Sequence, residues 1–195
     1  MINIAINGFG RIGRTSAKIL LKRNDAKLVA INDLTNDATL AHLFKYDSNY
    51  GIWPGEISTD LNGEHLIIDG AKIPTYAEKD PTILPWDELG VDIVLECTGF
   101  FTERVQAMAH IQAGAKRVVI SAPPKGSMST HIISVNEDDL SSDDPIISNA
   151  SCTTNSVAPV VAVINREFGV LKAMMTTIHS YTADQNLQDG PHSDL

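Results

Sequence analysis

Apolar residues alternate at Ile2, Ile4 and Ile6, the period-two pattern of a strand, and this strand runs directly into Gly8-Phe9-Gly10-Arg11-Ile12-Gly13. Past the glycines, Ile12, Ala17, Ile19, Leu20 and Leu21 supply the apolar positions of a helix ending near Asn24 and Asp25. Lys27-Leu28-Val29-Ala30-Ile31 predicts a second strand, so the chain opens on a βαβ unit with parallel strands and a right-handed crossover. Over 46–85 the character changes: Gly51, Pro54, Gly55, Asn62, Gly63, Asp69, Gly70, Pro74 and Pro81 cut the chain into short pieces. Leu66-Ile67-Ile68 and Ala71-Lys72-Ile73 flank Asp69-Gly70, a two-residue hairpin signal, and the stretch reads as an antiparallel insertion. Parallel architecture resumes with an apolar strand over 91–95, a helix over 103–113 and a strand over 117–121. A short strand at 145–148 leads to Cys152 and a helix reaching about Phe168, in which Pro159 is tolerated. A strand-like run follows over 174–179, and 180–195 is polar and turn-rich. The alternation predicts an α/β protein: a Rossmann-type doubly wound parallel sheet with an antiparallel insertion.

Composition narrows the partners. With 195 residues, 43% of them hydrophobic, the chain can bury an ordinary core. The net charge of −9 is densest at Glu137, Asp138, Asp139, Asp143 and Asp144 with no basic run against it, which argues against nucleic acid and anionic membrane as partners. A phosphate-bearing ligand would then rest on helix N-termini rather than on a broadly positive surface. No apolar run is long enough to span a bilayer, and the opening residues lack the pattern of a signal peptide, so a cytoplasmic location is expected. Cys97 and Cys152 are too few for a disulfide framework, and no His and Cys spacing matches a zinc site, so no metal is expected.

In the glycine-rich turn, Gly8 permits the tight bend, Gly10 lets the backbone approach a pyrophosphate, and Gly13 allows helix and strand to pack. Asp33, about 20 residues beyond Gly13, stands where it would accept hydrogen bonds from both hydroxyls of an adenosine ribose and repel a 2′-phosphate. Leu34-Thr35-Asn36 brings no arginine to neutralise such a phosphate, which favours NAD over NADP. The competing reading is a merely structural βα turn. Thr98-Gly99 and Ser121 end two further parallel strands, where open α/β sheets bind ligands.

Ser148-Asn149-Ala150-Ser151-Cys152-Thr153-Thr154-Asn155 sets a thiol among helix-capping residues, so Cys152 falls at a helix N-terminus that stabilises thiolate. A small buried cysteine is the alternative. Cys97, at the end of an apolar strand without such a cap, reads as core filler. His179 gains interest as the base that a cysteine nucleophile needs; His42, His65, His110, His131 and His192 have no such partner argument.

Asn7-Gly8-Phe9-Gly10-Arg11-Ile12-Gly13-Arg14, Asn32-Asp33, Lys45-Tyr46-Asp47-Ser48, the octet around Cys152, and His179-Ser180-Tyr181-Thr182 occur in order. Together they closely resemble the glyceraldehyde-3-phosphate dehydrogenase family across essentially the whole chain. The resemblance implies an NAD-binding Rossmann domain over 1–150 and, over 151–195, an incomplete N-terminal part of an α+β catalytic domain, the chain being a fragment that stops inside a loop at Leu195. It implies NAD-dependent phosphorylating oxidation of glyceraldehyde 3-phosphate to 1,3-bisphosphoglycerate in glycolysis. Cys152 would form a hemithioacetal and then a thioester cleaved by inorganic phosphate, with His179 as base. Ser151 and Thr153 match positions that contact the attacking phosphate, and Thr182 one that contacts the substrate phosphate.

Implied cofactor contacts are Asn7, Gly8, Phe9, Gly10, Arg11, Ile12, Gly13, Asp33, Lys79, Thr98, Gly99 and Ser121; Lys79 stands where members often carry arginine. Gly190-Pro191 resembles the NAD-type pattern, Ser156 replaces a second cysteine common in the family, and a homotetramer is implied for its full-length members. Two alternatives stay open: erythrose-4-phosphate dehydrogenase, which Leu84-Pro85-Trp86 and Leu95-Glu96-Cys97-Thr98 permit although Tyr181-Thr182-Ala183-Asp184 favours the three-carbon aldehyde, and an NAD-binding fragment without turnover.

Overall fold

The computed structural model of the chain describes residues 1–192. Strand β1 (Ile2–Asn7), helix α1 (Arg11–Leu20) and strand β2 (Ala26–Asn32) form the expected unit, with β1 and β2 parallel. Helix α2 (Asp37–Lys45) follows, then the short strands β3 (Tyr46–Asp47), β4 (Gly51–Ile52), β5 (Ile57–Thr59), β6 (His65–Ile68) and β7 (Ala71–Tyr76). Strand β8 (Ile93–Glu96), helix α3 (Arg104–Gln112), strands β9 (Arg117–Ile120) and β10 (Ile146–Ser148), and helix α4 (Cys152–Phe168) complete the regular elements. Eight strands make one sheet in the order β10-β9-β8-β1-β2-β7-β6-β5.

The two faces of the sheet follow from strand pleat. Ile4 and Ile6 of β1 point into a cluster with Phe9, Ala17 of α1 and Leu40 and Phe44 of α2. Ala5, between them, faces the opposite cluster with Trp86, Val94, Ala107 of α3 and Val118. Helices therefore cover both faces, the doubly wound arrangement of a Rossmann-type α/β protein. Strand order reverses between β1 and β8, so the crevice beyond Asn7 and Glu96 is the topological switch point where such sheets bind ligands.

The structure corrects four expectations. The stretch over 46–85 does contain an antiparallel meander, with Asp69-Gly70 at its tight turn (φ 50° and 81°). It is not set apart from the parallel sheet, however: β7 pairs in parallel with β2 at Ile31↔Thr75 and Asn32↔Tyr76, giving the backbone of β2 a partner where it would otherwise be an open edge. Helix α2 was not anticipated; its signal is Asn36, whose side chain caps the helix by accepting from Thr39 N–H at 2.9 Å. Helix α1 ends at Leu20, before Asn24, because the chain tightens into three-residue turns through Lys22 N–H to Ile19 O and Arg23 N–H to Leu20 O. The run over 174–179 is not a strand: no described strand lies beside it to share a ladder, and Met174 and Ile178 stand wholly exposed. The last three of the polar residues 180–195, including Leu195, lie outside the described residues.

Helix α4 begins with Ser151 as its cap, the Oγ accepting from Thr154 N–H at 3.0 Å, and stops at Gly169, whose φ of 74° ends the helix. None of its 17 residues is buried, and Val160 and Phe168 are exposed. A helix of this length without a packed face is marginal in water. Amide hydrogens over 160–168 should therefore exchange at least about 100-fold faster than those of β1, since local opening without core contacts costs far less than global unfolding; equal protection, measured by hydrogen-exchange mass spectrometry, would refute this.

Candidate active site and nucleotide crevice

A cavity of about 440 Å³ opens at the C-terminal ends of β1, β2 and β8, lined by Asn7, Gly8, Gly10, Asn32, Asp33, Leu34, Glu78, Lys79, Cys97, Thr98, Phe100 and Phe101. Its wall is the glycine-rich turn. Gly8 sits at φ 92°, and a Cβ there would lie 2.6 Å from Thr98 N, so the turn passes against β8 with no room for a side chain. A Cβ on Gly13 would lie 2.1 Å from Gly8 O, which is why α1 can pack directly on the turn. At Gly10 nothing lies within 4 Å of a built Cβ. That open side, at a helix N-terminus whose first N–H groups have no intrahelical partner, has the room and the donors that a pyrophosphate requires. The crevice fits a dinucleotide.

Asp33 stands at the far rim, held by Phe9 N–H on Oδ2 (2.7 Å) and Thr35 N–H on Oδ1 (2.9 Å), with lone pairs left for ribose hydroxyls. The Phe9 ring is buried against Phe44, its N–H donates to Asp33, and its carbonyl accepts from Arg14 at 2.9 Å. The Asn7 side-chain amide donates to Glu96 and accepts from Asn32. Gly99, at φ 75°, turns the chain from Thr98 towards Phe100.

A second cavity, of about 750 Å³, begins at the other side of the α1 N-terminus. Arg11, Ile12 and Ser121 line it together with Ser151, Cys152, His179 and Thr182. Cys152 is the first residue of α4, and its Sγ lies 3.3 Å from His179 Nε2. His179 Nδ1 is 2.6 Å from Ser180 O, a contact that requires Nδ1 to carry a proton and turns the Nε2 lone pair to the thiol. The hydrogen bond with His179, aided by Thr153 N–H, holds the Cys152 thiol below its ordinary value. The Ser180 carbonyl and then the Cys152 sulfur hold the imidazole above its own. Thr153 lines a neighbouring cleft of about 400 Å³ with Cys152, Ser156, Met175 and His179.

Cys97 contrasts with Cys152. It packs against the apolar cluster, and burial pushes its thiol up to about 12. Iodoacetamide at about pH 7.5 should thus label Cys152 and spare Cys97, because the thiolate is the nucleophile; peptide mass mapping checks this, and labelling of both at similar rates would contradict it.

The segment over 180–192 is tied to the nucleotide half by Asp189, which sequence reasoning missed. Its carboxylate accepts from Ser48 N–H and Oγ–H and pairs with Arg11, and its carbonyl accepts from Arg14 Nη2 at 2.7 Å. Gln188 Nε2 adds a bond to Asn49 Oδ1 at 2.7 Å. The Lys45-Tyr46-Asp47-Ser48 motif was the available signal; its partner lies 141 residues away. The buried pair Glu96 and His110 beneath the crevice was missed for the same reason.

Fold and site together define a dinucleotide-binding α/β protein that carries an activated thiol beside its crevice. Residues 2–104 match the family model for the glyceraldehyde 3-phosphate dehydrogenase NAD binding domain, and residues 151–195 match the model for the C-terminal domain of the same family. The chain belongs to the glyceraldehyde-3-phosphate dehydrogenase family, and its cofactor is NAD. Among its relatives, glyceraldehyde-3-phosphate dehydrogenase of Clostridium pasteurianum is 52% identical over 98% of this chain and 57% of its own length. That of Thermotoga maritima is 53% identical over 100% of this chain and 59% of its own length. The chain thus spans under two thirds of the curated relatives it matches.

Proposed function

We propose that this chain carries the nucleotide-binding half and the nucleophile of an enzyme that oxidises glyceraldehyde 3-phosphate to 1,3-bisphosphoglycerate with NAD and inorganic phosphate. The observation that carries the reading is the 3.3 Å approach of His179 Nε2 to Cys152 Sγ at the start of α4, in a cavity that shares the α1 N-terminus with the dinucleotide crevice. Relatives bearing the enzyme's name support it. His179 takes the thiol proton and, as the Cys152 thiolate adds to the aldehyde carbon, gives it to the carbonyl oxygen, leaving a hemithioacetal and a neutral imidazole. His179 then receives the hydroxyl proton as that carbon is oxidised to a thioester, and phosphate displaces the Cys152 thiolate to give the acyl phosphate. When bound, the nicotinamide accepts the hydride that the oxidation releases. Ser151, Thr153 and Thr182 are the contacts proposed for the two phosphates, and a homotetramer is the assembly proposed for full-length members.

A second reading has its own observation. Cys152 and His179 are both exposed and α4 has no buried face, so the orientation that makes a thiolate effective is not enforced by packing among the described residues. On that reading the chain binds NAD without turnover. Reduction of NAD followed at 340 nm, with glyceraldehyde 3-phosphate or erythrose 4-phosphate and with or without phosphate, separates the cases. Phosphate-dependent turnover of the three-carbon aldehyde supports the first reading. Equal or faster turnover of the four-carbon aldehyde overturns the substrate, and NAD binding with no turnover supports the second reading.

A further inference from the structure

One buried cluster of polar and titratable groups lies outside the thiol–imidazole cavity, at the switch point of the sheet. Glu96, the last residue of β8, is 1% exposed, and His110 of α3 is 0% exposed. Trp86 Nε1–H donates to His110 Nδ1 at 3.1 Å, and an indole nitrogen can only donate. The imidazole proton therefore sits on Nε2 and is given to Glu96 Oε2 at 3.0 Å. Asn7 Nδ2 donates to the same oxygen at 2.5 Å and lies 3.4 Å from His110 Nε2, the spacing of two donors converging on one acceptor. Glu96 Oε1 accepts from both the N–H and the hydroxyl of Thr98. Four donors and no acceptor surround this side chain, an environment that suits a carboxylate and not its amide. From Asn7 the bonds continue: its Oδ1 accepts from Asn32 Nδ2 at 2.7 Å, and the Asn32 side chain exchanges two bonds with the backbone of Glu78, next to Lys79.

We infer that Glu96, oriented by His110, is the positioning residue of the nucleotide crevice. It locks the chain ends that form both walls into one frame before the dinucleotide arrives. The polarity of the network has a single consistent direction, from Trp86 and Asn32 inwards to Glu96, so no member can flip without stranding a neighbour. Thr98 spends its hydroxyl proton on Glu96 and accepts Phe100 N–H at 3.0 Å, so towards a ligand it presents only a lone pair. A frame fixed in advance leaves less ordering to be done on binding.

The inference rests on the crevice taking NAD, and its test separates the two. In the 195-residue chain, Glu96→Gln places an amide donor against a donor pair. It should raise the Kd for NAD, read by calorimetry well below the unfolding midpoint, about tenfold or more, the worth of one or two buried hydrogen bonds. The Thr98 amide should lose hydrogen-exchange protection in the nucleotide-free protein. His110→Gln keeps an acceptor for Trp86 and a donor for Glu96, so its Kd should stay within about threefold of the parent, whereas His110→Leu should weaken binding as Glu96→Gln does. A merely structural pair would lower the melting temperature of all three variants and leave Kd unchanged.

Nitrogen-15 spectra of the unsubstituted protein should show His110 protonated at Nε2 and bare at Nδ1. An unchanged Kd in Glu96→Gln, equal affinities in the two His110 variants, or a proton on Nδ1 would each overturn the inference. Should Glu96→Gln fail to fold, the His110 pair and the nitrogen spectrum decide. Should the unsubstituted chain fail to bind NAD, the cofactor reading falls, while Thr98 exchange and the nitrogen spectrum still judge the frame.

Discussion

Gly13→Ala is expected to destabilise the protein by about 2–3 kcal/mol, the cost of overpacking a tight contact, which lowers the unfolding midpoint by roughly 4–12 °C in a chain of this size. The added Cβ would meet Gly8 O at 2.1 Å and the Ile6 side chain at 3.1 Å. Neither can retreat cheaply: the first is backbone within the turn, and Ile6 is wholly buried in the core. Relief requires α1 to move away from β1, and with it the N–H groups that face the crevice. Gly10→Ala is the matched control. Nothing lies within 4 Å of its Cβ, so stability should change by less than about 1 kcal/mol, as for other substitutions at a helix cap, while the methyl group fills the phosphate cradle and NAD affinity falls. Thermal melts and NAD titration of both variants check the pair. A stable Gly13→Ala, or a Gly10→Ala that binds NAD normally, would show that the packing and cradle roles are misassigned.

His179→Asn is expected to shift the alkylation profile of Cys152 to higher pH, towards the ordinary thiol value near 8.5, and to cut any aldehyde turnover by about 10²–10⁴-fold, the usual worth of a general base. The sign follows from the pair. In the folded chain the thiol lies below its ordinary value, chiefly through its bond with His179, so thiolate persists to lower pH than in a free cysteine. The imidazole lies above its ordinary value, through Ser180 O and then the Cys152 sulfur, so imidazolium persists to higher pH than in a free histidine. Asparagine can still donate to sulfur but cannot carry the positive charge, so the electrostatic part of the effect is lost. The backbone of Thr153 and the start of α4 remain, and a part of the lowering should remain with them. Iodoacetamide rates across pH in the two proteins read this directly. An unshifted profile would mean that the helix N-terminus alone activates the thiol.

The elements that sequence reasoning found are those whose signals are local. Gly8, Gly10 and Gly13 announce a strand, a turn and a helix within a few residues, and the start of α4 is fixed by Ser151 capping Thr154. Helix α3 carries a reciprocal cap between Glu103 and Gln106, again three residues apart. Where the signal was local but weak, as at Asn36 before α2, the helix went unread. The apolar run over 174–179 has strand-like residues, yet strand formation depends on a neighbour that no single segment can report. The meander after α2 was recognisable by its hairpin, while the parallel seam between β7 and β2 joins residues more than forty positions apart and left no trace in either segment.

The sequence by itself determined the opening βαβ unit, the glycine turn against β1, and the thiol at a helix N-terminus, because each depends on backbone preferences and hydrogen bonds spanning a few residues. Tertiary structure decided what those pieces meet. It alone put His179 against Cys152, separated by 27 positions, tied Asp189 to Ser48 across 141, and drew Asn7, 89 residues before Glu96, into a buried frame with His110 and Trp86. Such contacts are chosen by which faces the sheet buries and by the need of every buried donor and acceptor for a partner, conditions that are satisfied only when the whole chain has closed.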